Sequence, residues 1–153
     1  ENTGANYMKT DEMILKINAD PLNENFARST VAAFCARLNP TVEEIGDIKT
    51  AVSEAVTNCV VHAYEYGGGE IEIITTLKKG CVFISVSDKG RGIKDVEAAM
   101  QPFYTTGNSD ERSGMGFTVM AAFTDELSVW SEPEKGTVVK MKKFLKSAER
   151  GKC

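Results

Sequence analysis

Two predicted β-hairpins constrain most strongly what this chain can fold into. In the first, residues 70–77 and 81–87 read as strands on either side of the turn Lys79-Gly80. The second hairpin spans residues 126–144 and turns around a Pro-Glu-Lys-Gly stretch. Two strands joined by so short a turn must run antiparallel, so most of the sheet is predicted to be antiparallel.

Two helices are predicted before the first hairpin. The first covers residues 22–38, with apolar side chains at helical spacing, and the second runs from Thr41 to about Tyr64. Thr41 and Glu44 form a capping-box pattern at the start of the second helix. The other predicted elements are a strand over 13–17 and short helices over 96–100 and 116–123. This order predicts a two-layer α/β sandwich (α+β), with a mixed, mostly antiparallel sheet and helices on one face.

The composition is that of an ordinary globular domain. The chain has 153 residues, of which 42% are hydrophobic and 26% charged, enough for one packed core. A formal net charge of −4 disfavours binding nucleic acid through bulk electrostatics. No apolar run is long enough to cross a bilayer, and no signal-peptide pattern is present. We therefore expect no direct contact with nucleic acid or membrane, and a cytoplasmic location.

We expect a single domain over residues 8–146. Residues 1–7 precede Met8 and are interpreted as an N-terminal extension or an expression remnant, and residues 147–153 as a flexible tail.

The cysteines do not form a recognisable metal or redox motif. No CxxC pair is present, and His62 is the single histidine, which disfavours a zinc site. Three cysteines lie in apolar segments and are predicted to be buried free thiols: Cys35, Cys59 and Cys81.

Glu54 and Asn58 are the first candidate pair for chemistry. They are four residues apart on the predicted second helix and share one face of it. A carboxylate can take a proton from a hydroxyl group, and an amide oxygen can bind Mg²⁺. Taken alone, such a pair is more often part of a solvated polar face.

The second motif is the segment 88–92 (DKGRG), at the end of a predicted strand. The carboxylate of Asp88 could accept a hydrogen bond from an exocyclic amine such as that of adenine. Gly90 and Gly92 allow close backbone approach or a positive φ angle. On its own, the segment is more often a simple turn.

Two further motifs lie near the start of a helix and the start of a strand. Segment 112–117 (RSGMGF) leads from a polar loop over 101–113 into a predicted helix, where free amides suit a phosphate and Arg112 could add positive charge. Gly136-Thr137 opens the last strand. Each alone is more often a flexible helix start or an ordinary turn.

Together and in this order, the four motifs resemble the N, G1, G2 and G3 boxes of the GHKL superfamily, which includes gyrase B, Hsp90, histidine kinases and MutL. The local sequences 53–58 (SEAVTN), 88–93 (DKGRGI), 105–106 (TT) and 111–117 (ERSGMGF) are more specific. They resemble the bacterial anti-sigma-factor serine kinases, in particular the sporulation members that act on sigma-F. The resemblance covers residues 8–144 and implies the GHKL, or Bergerat, ATPase fold.

The resemblance also implies a role for each candidate residue. Glu54 would be the catalytic base that activates a substrate serine, and Asn58 would hold Mg²⁺. Asp88 would bind the adenine amino group of ATP with support from Thr137, and the loop over 101–113 would form a lid. The remaining implied nucleotide contacts are Gly90, Gly92, Thr105, Thr106, Arg112, Ser113, Gly114, Met115 and Gly116.

Three partners are implied by the same resemblance. They are a sigma factor held inactive, a STAS-domain anti-anti-sigma factor that is phosphorylated, and a second copy of the chain in a homodimer. Arg28 matches a partner-contacting arginine in the first helix, although alone it would be interpreted as solvated. The alternatives are a kinase for a stress-response sigma factor, the catalytic domain of a sensor histidine kinase, and a nucleotide-gated binding module without kinase activity.

Overall fold

The structure is a computed structural model that describes residues 10–102 and 115–147. Five strands and four α-helices follow in the order β1 (Asp11–Asn18), α1 (Asn23–Cys35), α2 (Val42–Asn58), β2 (Glu70–Lys78), β3 (Cys81–Asp88), α3 (Val96–Ala99), α4 (Gly116–Phe123), β4 (Glu126–Glu132) and β5 (Gly136–Phe144). A 3₁₀ turn over Ala36–Leu38 extends α1, and a π-helix over Cys59–Ala63 extends α2.

The five strands form one sheet in the order β1-β2-β3-β5-β4. All four pairings between neighbouring strands are antiparallel. Both predicted hairpins are present, and Lys79 and Gly80 occupy the first turn with φ angles of 51° and 80°. The predicted two-layer fold is confirmed, and within the described residues the sheet is antiparallel throughout rather than mixed.

Helix α2 packs on one face of the sheet and supplies much of the core. Its apolar stripe includes Ile48, Val52 and Val56, which are buried against Ile71 and Ile73 of β2 within one apolar cluster. Full burial of each such side chain contributes about 1.5–3 kcal/mol. The core thereby fixes the position of α2 over the centre of the sheet.

The start of α2 is held by the predicted capping box. The Glu44 amide donates to Thr41 Oγ1 at 3.1 Å, and the Thr41 amide donates to Glu44 Oε1 at 2.8 Å. Glu44 Oε2 also accepts from the Lys146 amide at 2.8 Å. Burial alone would raise the pKa of Glu44, but these hydrogen bonds and the charge of Lys143 lower it.

The end of the second helix differs from the prediction of one α-helix reaching Tyr64. The α-helix ends at Asn58 and continues as a π-helix over Cys59–Ala63. Glu65 and Tyr66 then adopt positive φ angles of 49° and 63°, so the chain turns before the glycines that follow. A π-turn has no local sequence signature, because it is stabilised by tertiary contacts.

The cysteine predictions are confirmed for two residues and wrong for a third. Cys35 and Cys59 are buried free thiols. Cys81 is also buried, but it is disulfide-bonded rather than free. An apolar setting predicts burial of a thiol and says nothing about its oxidation.

The predicted extension over 1–7 lies outside the described residues, as does all of the predicted tail over 147–153 except Ser147. No helix in the described part of the chain combines the length and hydrophobicity that a membrane crossing requires.

Candidate functional site

A cavity of about 470 Å³ opens where the end of α2, the end of β3 and the start of α4 meet. Its volume is within the range typical of small-molecule sites. Five sequence-predicted residues, drawn from all four motifs, line it: Asn58, Asp88, Gly92, Gly116 and Thr137. The fold therefore brings together groups that lie up to 79 positions apart, from Asn58 to Thr137.

Asp88 is the buried carboxylate of this cavity. Its Oδ1 accepts a hydrogen bond from the Gly90 amide at 2.9 Å, and its Oδ2 lies 3.5 Å from the thiol of Cys59. Burial raises the pKa of Asp88, while the hydrogen bonds from Gly90, Cys59 and the Thr137 backbone oppose that rise. The carboxylate is thus fixed from both sides and keeps acceptor lone pairs for a ligand.

Two glycines allow close backbone approaches around the cavity. Gly136 has a φ angle of 115°, and a Cβ atom there would lie 2.1 Å from the Asp88 carbonyl oxygen. Gly92 has a φ angle of 73°, and its Cβ would lie 2.1 Å from the Glu132 carbonyl oxygen. These contacts exclude any side chain, so both positions require glycine.

The hydroxyl of Thr137 is oriented by a short hydrogen-bond chain. Ser131 Oγ accepts from the Ile93 amide at 2.8 Å and donates to the Gly136 carbonyl at 2.9 Å. Because that donation uses the single hydroxyl proton of Ser131, Thr137 Oγ1 is the donor in the 2.8 Å contact between the two hydroxyl groups. The lone pairs of Thr137 therefore remain to accept from a ligand.

The π-helix is joined to the Asp88 turn by Tyr64. The Tyr64 hydroxyl donates to the Glu70 carbonyl at 2.6 Å and accepts from the Lys89 amide at 2.7 Å. The Arg91 amide donates to the Ala63 carbonyl at 3.0 Å. Burial raises the pKa of Tyr64, so this phenol stays protonated and able to donate.

Asn58 directly contacts the start of α4. A Cβ atom on Gly116 would lie 2.9 Å from Asn58 Oδ1, so glycine leaves the amide group uncovered. Met115 precedes the helix and supplies no side-chain cap. Within the described residues no side chain caps the first amides of α4, and such amides suit an anion.

Glu54 and Arg28 lie in a different concavity. A groove of about 290 Å³ runs between α1 and α2, and is lined by Glu24, Arg28, Lys49, Thr50, Ser53 and Glu54. Arg28 Nε donates to Asn25 Oδ1 at 3.1 Å, and its guanidinium lies 3.6 Å from Glu24 Oε1. Glu54 and Asn58, which were predicted to share one face of the second helix, thus line two different concavities.

The remaining predicted site residues are placed as follows. Gly90 does not line the cavity, but its backbone amide donates a hydrogen bond to the Asp88 carboxylate. The predicted contacts of Thr105, Thr106, Arg112, Ser113 and Gly114 lie outside the described residues, as does the lid beyond residue 102.

Several functional candidates have no clear sequence signal. Cys59 and His62 line the cavity, although neither was assigned to the site from the sequence and Cys59 was predicted only to be a buried free thiol. His62 is one helical turn beyond Asn58, which was the available hint. Ser131 and Tyr64 contribute through hydrogen bonds that form only in the folded chain, to Thr137 and to the Lys89 amide respectively.

Comparisons with known proteins agree with this geometry. Residues 17–143 match the family described as histidine kinase-like ATPase domain. The anti-sigma F factor of Caldanaerobacter subterraneus subsp. tengcongensis is 57% identical over 87% of this chain and 93% of its own length. The anti-sigma F factor of Bacillus subtilis (strain 168) is 47% identical over 91% of this chain and 96% of its own length.

Solved structures show the same fold at low sequence identity. The RsbU and RsbW domains of Rv1364c from Mycobacterium tuberculosis superpose with a TM-score of 0.64 and 21% identity, over 88% of this chain and 32% of that one. The catalytic domain of the histidine kinase ThkA gives a TM-score of 0.55 and 15% identity, over 87% of this chain and 96% of that one. The chain belongs to the histidine kinase-like ATPase domain family, the GHKL type, and within it to the anti-sigma F factor family.

Proposed function

We propose that this protein is an anti-sigma factor and an ATP-dependent protein serine kinase. It binds and inhibits the sporulation sigma factor sigma-F in the cytoplasm, and it phosphorylates a serine of a STAS-domain anti-anti-sigma factor. One observation carries the proposal: a cavity built around the buried Asp88 lies next to a charged groove that holds Glu54. The relatives named anti-sigma F factor support the choice of partner.

The nucleotide base is bound at the Asp88 end of the cavity. An ionised carboxylate accepts a hydrogen bond from the amino group of adenine, and Thr137 lies beside it with free lone pairs. Gly92 lines this end of the cavity, where the absence of a side chain lets its backbone lie close to the Glu132 carbonyl.

The phosphates lie at the other end of the cavity. The uncovered amide of Asn58 and the uncapped start of α4 are both there. Mg²⁺ prefers oxygen ligands and keeps several waters and phosphate oxygens, so Asn58 Oδ1 suffices as its protein ligand. When bound, Mg²⁺ neutralises charge on the phosphates.

Glu54 acts on the partner serine from the adjoining groove. Its carboxylate takes the hydroxyl proton as the serine oxygen forms a bond to the γ-phosphorus. The bond from that phosphorus to the bridging oxygen of ADP breaks, and ADP leaves. Phosphoryl transfer depends mainly on positioning and charge neutralisation. Glu54 is therefore the one base that the reaction needs.

The same groove gives a contact surface for the protein partners. Arg28 is held in it by Asn25 and Glu24, which orders the guanidinium before a partner arrives. The homodimer surface is assigned to β1 and α1, where three large apolar side chains are exposed: Ile14, Leu22 and Phe26.

A phosphotransfer assay tests the proposal. The protein is mixed with labelled ATP, Mg²⁺ and a STAS-domain anti-anti-sigma protein, and any phosphate is mapped by mass spectrometry. Phosphoserine on the STAS protein is expected, together with ATP-dependent capture of purified sigma-F. Tight ATP binding without transfer would instead identify a nucleotide-gated binding module.

A further inference from the structure

Cys59 contacts the buried carboxylate that lines the cavity. It is the first residue of the π-helix, and its Sγ lies 3.5 Å from Asp88 Oδ2. The exposed fractions are 4% for Cys59 and 8% for Asp88. An ionised carboxylate can only accept, so the thiol is the donor in this contact.

This thiol is the side-chain donor to the Asp88 carboxylate, and the backbone amide of Gly90 is the other donor that the described residues place in contact with it. The Thr137 backbone also lowers the pKa of Asp88. A buried carboxylate stays charged only when donors replace the lost water. Rotation about the Cβ–Cγ bond of an aspartate is only weakly restricted by its own covalent structure, so these donors also set the orientation of the two oxygens.

We propose that Cys59 is a positioning residue for Asp88, and that its thiol sets the preference of the cavity for a purine that carries an exocyclic amine. The inference rests on the proposed function, in which Asp88 accepts a hydrogen bond from the adenine amino group. With the S–H group bound to Oδ2 on one side and the Gly90 amide bound to Oδ1 on the other, the carboxylate cannot rotate away from that amino group.

Nucleotide discrimination tests this role. Inosine triphosphate carries a carbonyl oxygen where ATP carries the amino group, so it donates nothing to Asp88. Calorimetry gives the ratio of the two dissociation constants for the wild type and for three variants, Cys59→Ala, Cys59→Ser and Cys35→Ala. Cys35 is the matched control, because it is a buried free thiol in α1 that does not line the cavity.

The wild type should prefer ATP, and Cys59→Ala should lose about three- to tenfold of that preference, the effect of one hydrogen bond. Cys59→Ser keeps a donor and should restore most of it, while Cys35→Ala should keep it all. An equal loss of affinity for both nucleotides in Cys59→Ala would show a merely structural role and overturn the proposal. A wild type without preference would overturn the proposed adenine contact of Asp88 as well.

The hydrogen bond can also be observed without any nucleotide. The S–H stretching band of Cys59, identified by its loss in Cys59→Ala, should lie at lower frequency than that of Cys35 and should shift in Asp88→Asn. A band that Asp88→Asn leaves unchanged would overturn the proposal even if ATP binding were normal.

Discussion

The cavity and the groove lie on either side of α2, yet they are built by different means. The cavity is shaped by backbone: Gly136 approaches the Asp88 carbonyl closely enough to exclude a side chain. The groove is formed by charged and hydroxyl side chains on two helices, with Glu54 one turn before Asn58. A site that is shaped by the backbone requires particular residue types, and these can be recognised in the sequence. Side chains on a helix surface can be recognised as functional only from the chemistry that they perform.

The largest effect is expected for Glu54→Gln, which should lower the rate of phosphate transfer without changing the affinity for ATP. The change removes a base and keeps the shape of the side chain, so phosphate transfer should fall by about 10²–10⁴-fold. ATP affinity should be unchanged, because Glu54 does not line the cavity. Single-turnover transfer at saturating partner and calorimetry with ATP measure the two effects.

A matched control is Glu24→Gln, which changes another carboxylate of the same groove. It should transfer phosphate at nearly the wild-type rate when the partner is saturating. If Glu54→Gln transferred phosphate at the wild-type rate, Glu54 would not be the base. The groove would then have no catalytic role to distinguish it from the nucleotide-binding cavity.

Backbone control of the cavity can be tested with Gly136→Ala. The new Cβ would clash with the Asp88 carbonyl, and the φ angle of 115° is unfavourable for alanine. We expect a loss of roughly 3 kcal/mol in the free energy of unfolding, at the upper end of strained-backbone effects, and weaker ATP binding. Urea unfolding measures the first effect.

Gly46→Ala is the control on the groove-forming helix. Gly46 lies inside α2, and within the described part of the chain no atom beyond its own stretch of helix lies within 4 Å of the place a Cβ would take. Alanine should therefore stabilise the protein by about 0.5–1 kcal/mol. If Gly136→Ala and Gly46→Ala changed the free energy of unfolding in the same direction, the close approach of the backbone at position 136 to the Asp88 carbonyl would not require glycine.

The third test concerns the charge at the centre of the cavity. Asp88→Asn keeps the shape but exchanges an acceptor oxygen for a donor, so the bond from the adenine amino group is lost. A hydrogen bond to a charged group contributes about 1.5–3 kcal/mol, so ATP affinity should fall roughly 10- to 100-fold. Transfer at saturating ATP should be nearly retained, since Glu54 is untouched. Unchanged affinity would exclude Asp88 from base recognition.

Local patterns were sufficient to predict most of the fold. Both hairpins, the capping box of Thr41 and Glu44, and the helix over 116–123 were predicted and are present. The π-helix after Asn58 and the disulfide of Cys81 were not predicted. The π-helix is in contact with the segment that follows β3, and periodicity does not report such a contact. An apolar sequence setting likewise does not report the oxidation state of a thiol.

The site divides in the same way. Asp88, Gly92 and Thr137 were predicted because their roles require particular residue types at particular places in a motif. Cys59 was not assigned to the site because its contact with Asp88 joins segments far apart in sequence. Ser131 was missed because its hydrogen bonds with Thr137 and the Ile93 amide form only once the chain is folded. The roles of all these residues remain predictions. For Asp88, Gly92 and Thr137 the structure gives a shared place in the cavity, whereas a charged helix surface would have the pattern of Glu54 and Arg28 without any function.

The smallest expected effect is a difference in the pH dependence of stability between the wild type and Asp88→Asn. Burial raises the pKa of Asp88 from its ordinary value of 3.8, so the folded chain binds this proton more tightly than the unfolded chain does. Wild-type stability relative to the variant should therefore rise as pH falls through the raised pKa, and level off below 3.8, where both states are protonated.

Other carboxyl groups cancel from this difference, including Glu44, whose lowered pKa acts in the opposite direction. Urea unfolding of both proteins from neutral to acidic pH gives the difference in their free energies of unfolding as a function of pH. The ATP affinity of the wild type should weaken over the same interval, because a protonated carboxyl group has lost an acceptor. If this difference did not change with pH, the pKa of Asp88 would be the same in the folded and the unfolded chain, and burial would not disfavour its ionised form. The cavity would then lack the buried, ligand-ready charge that distinguishes it from the groove.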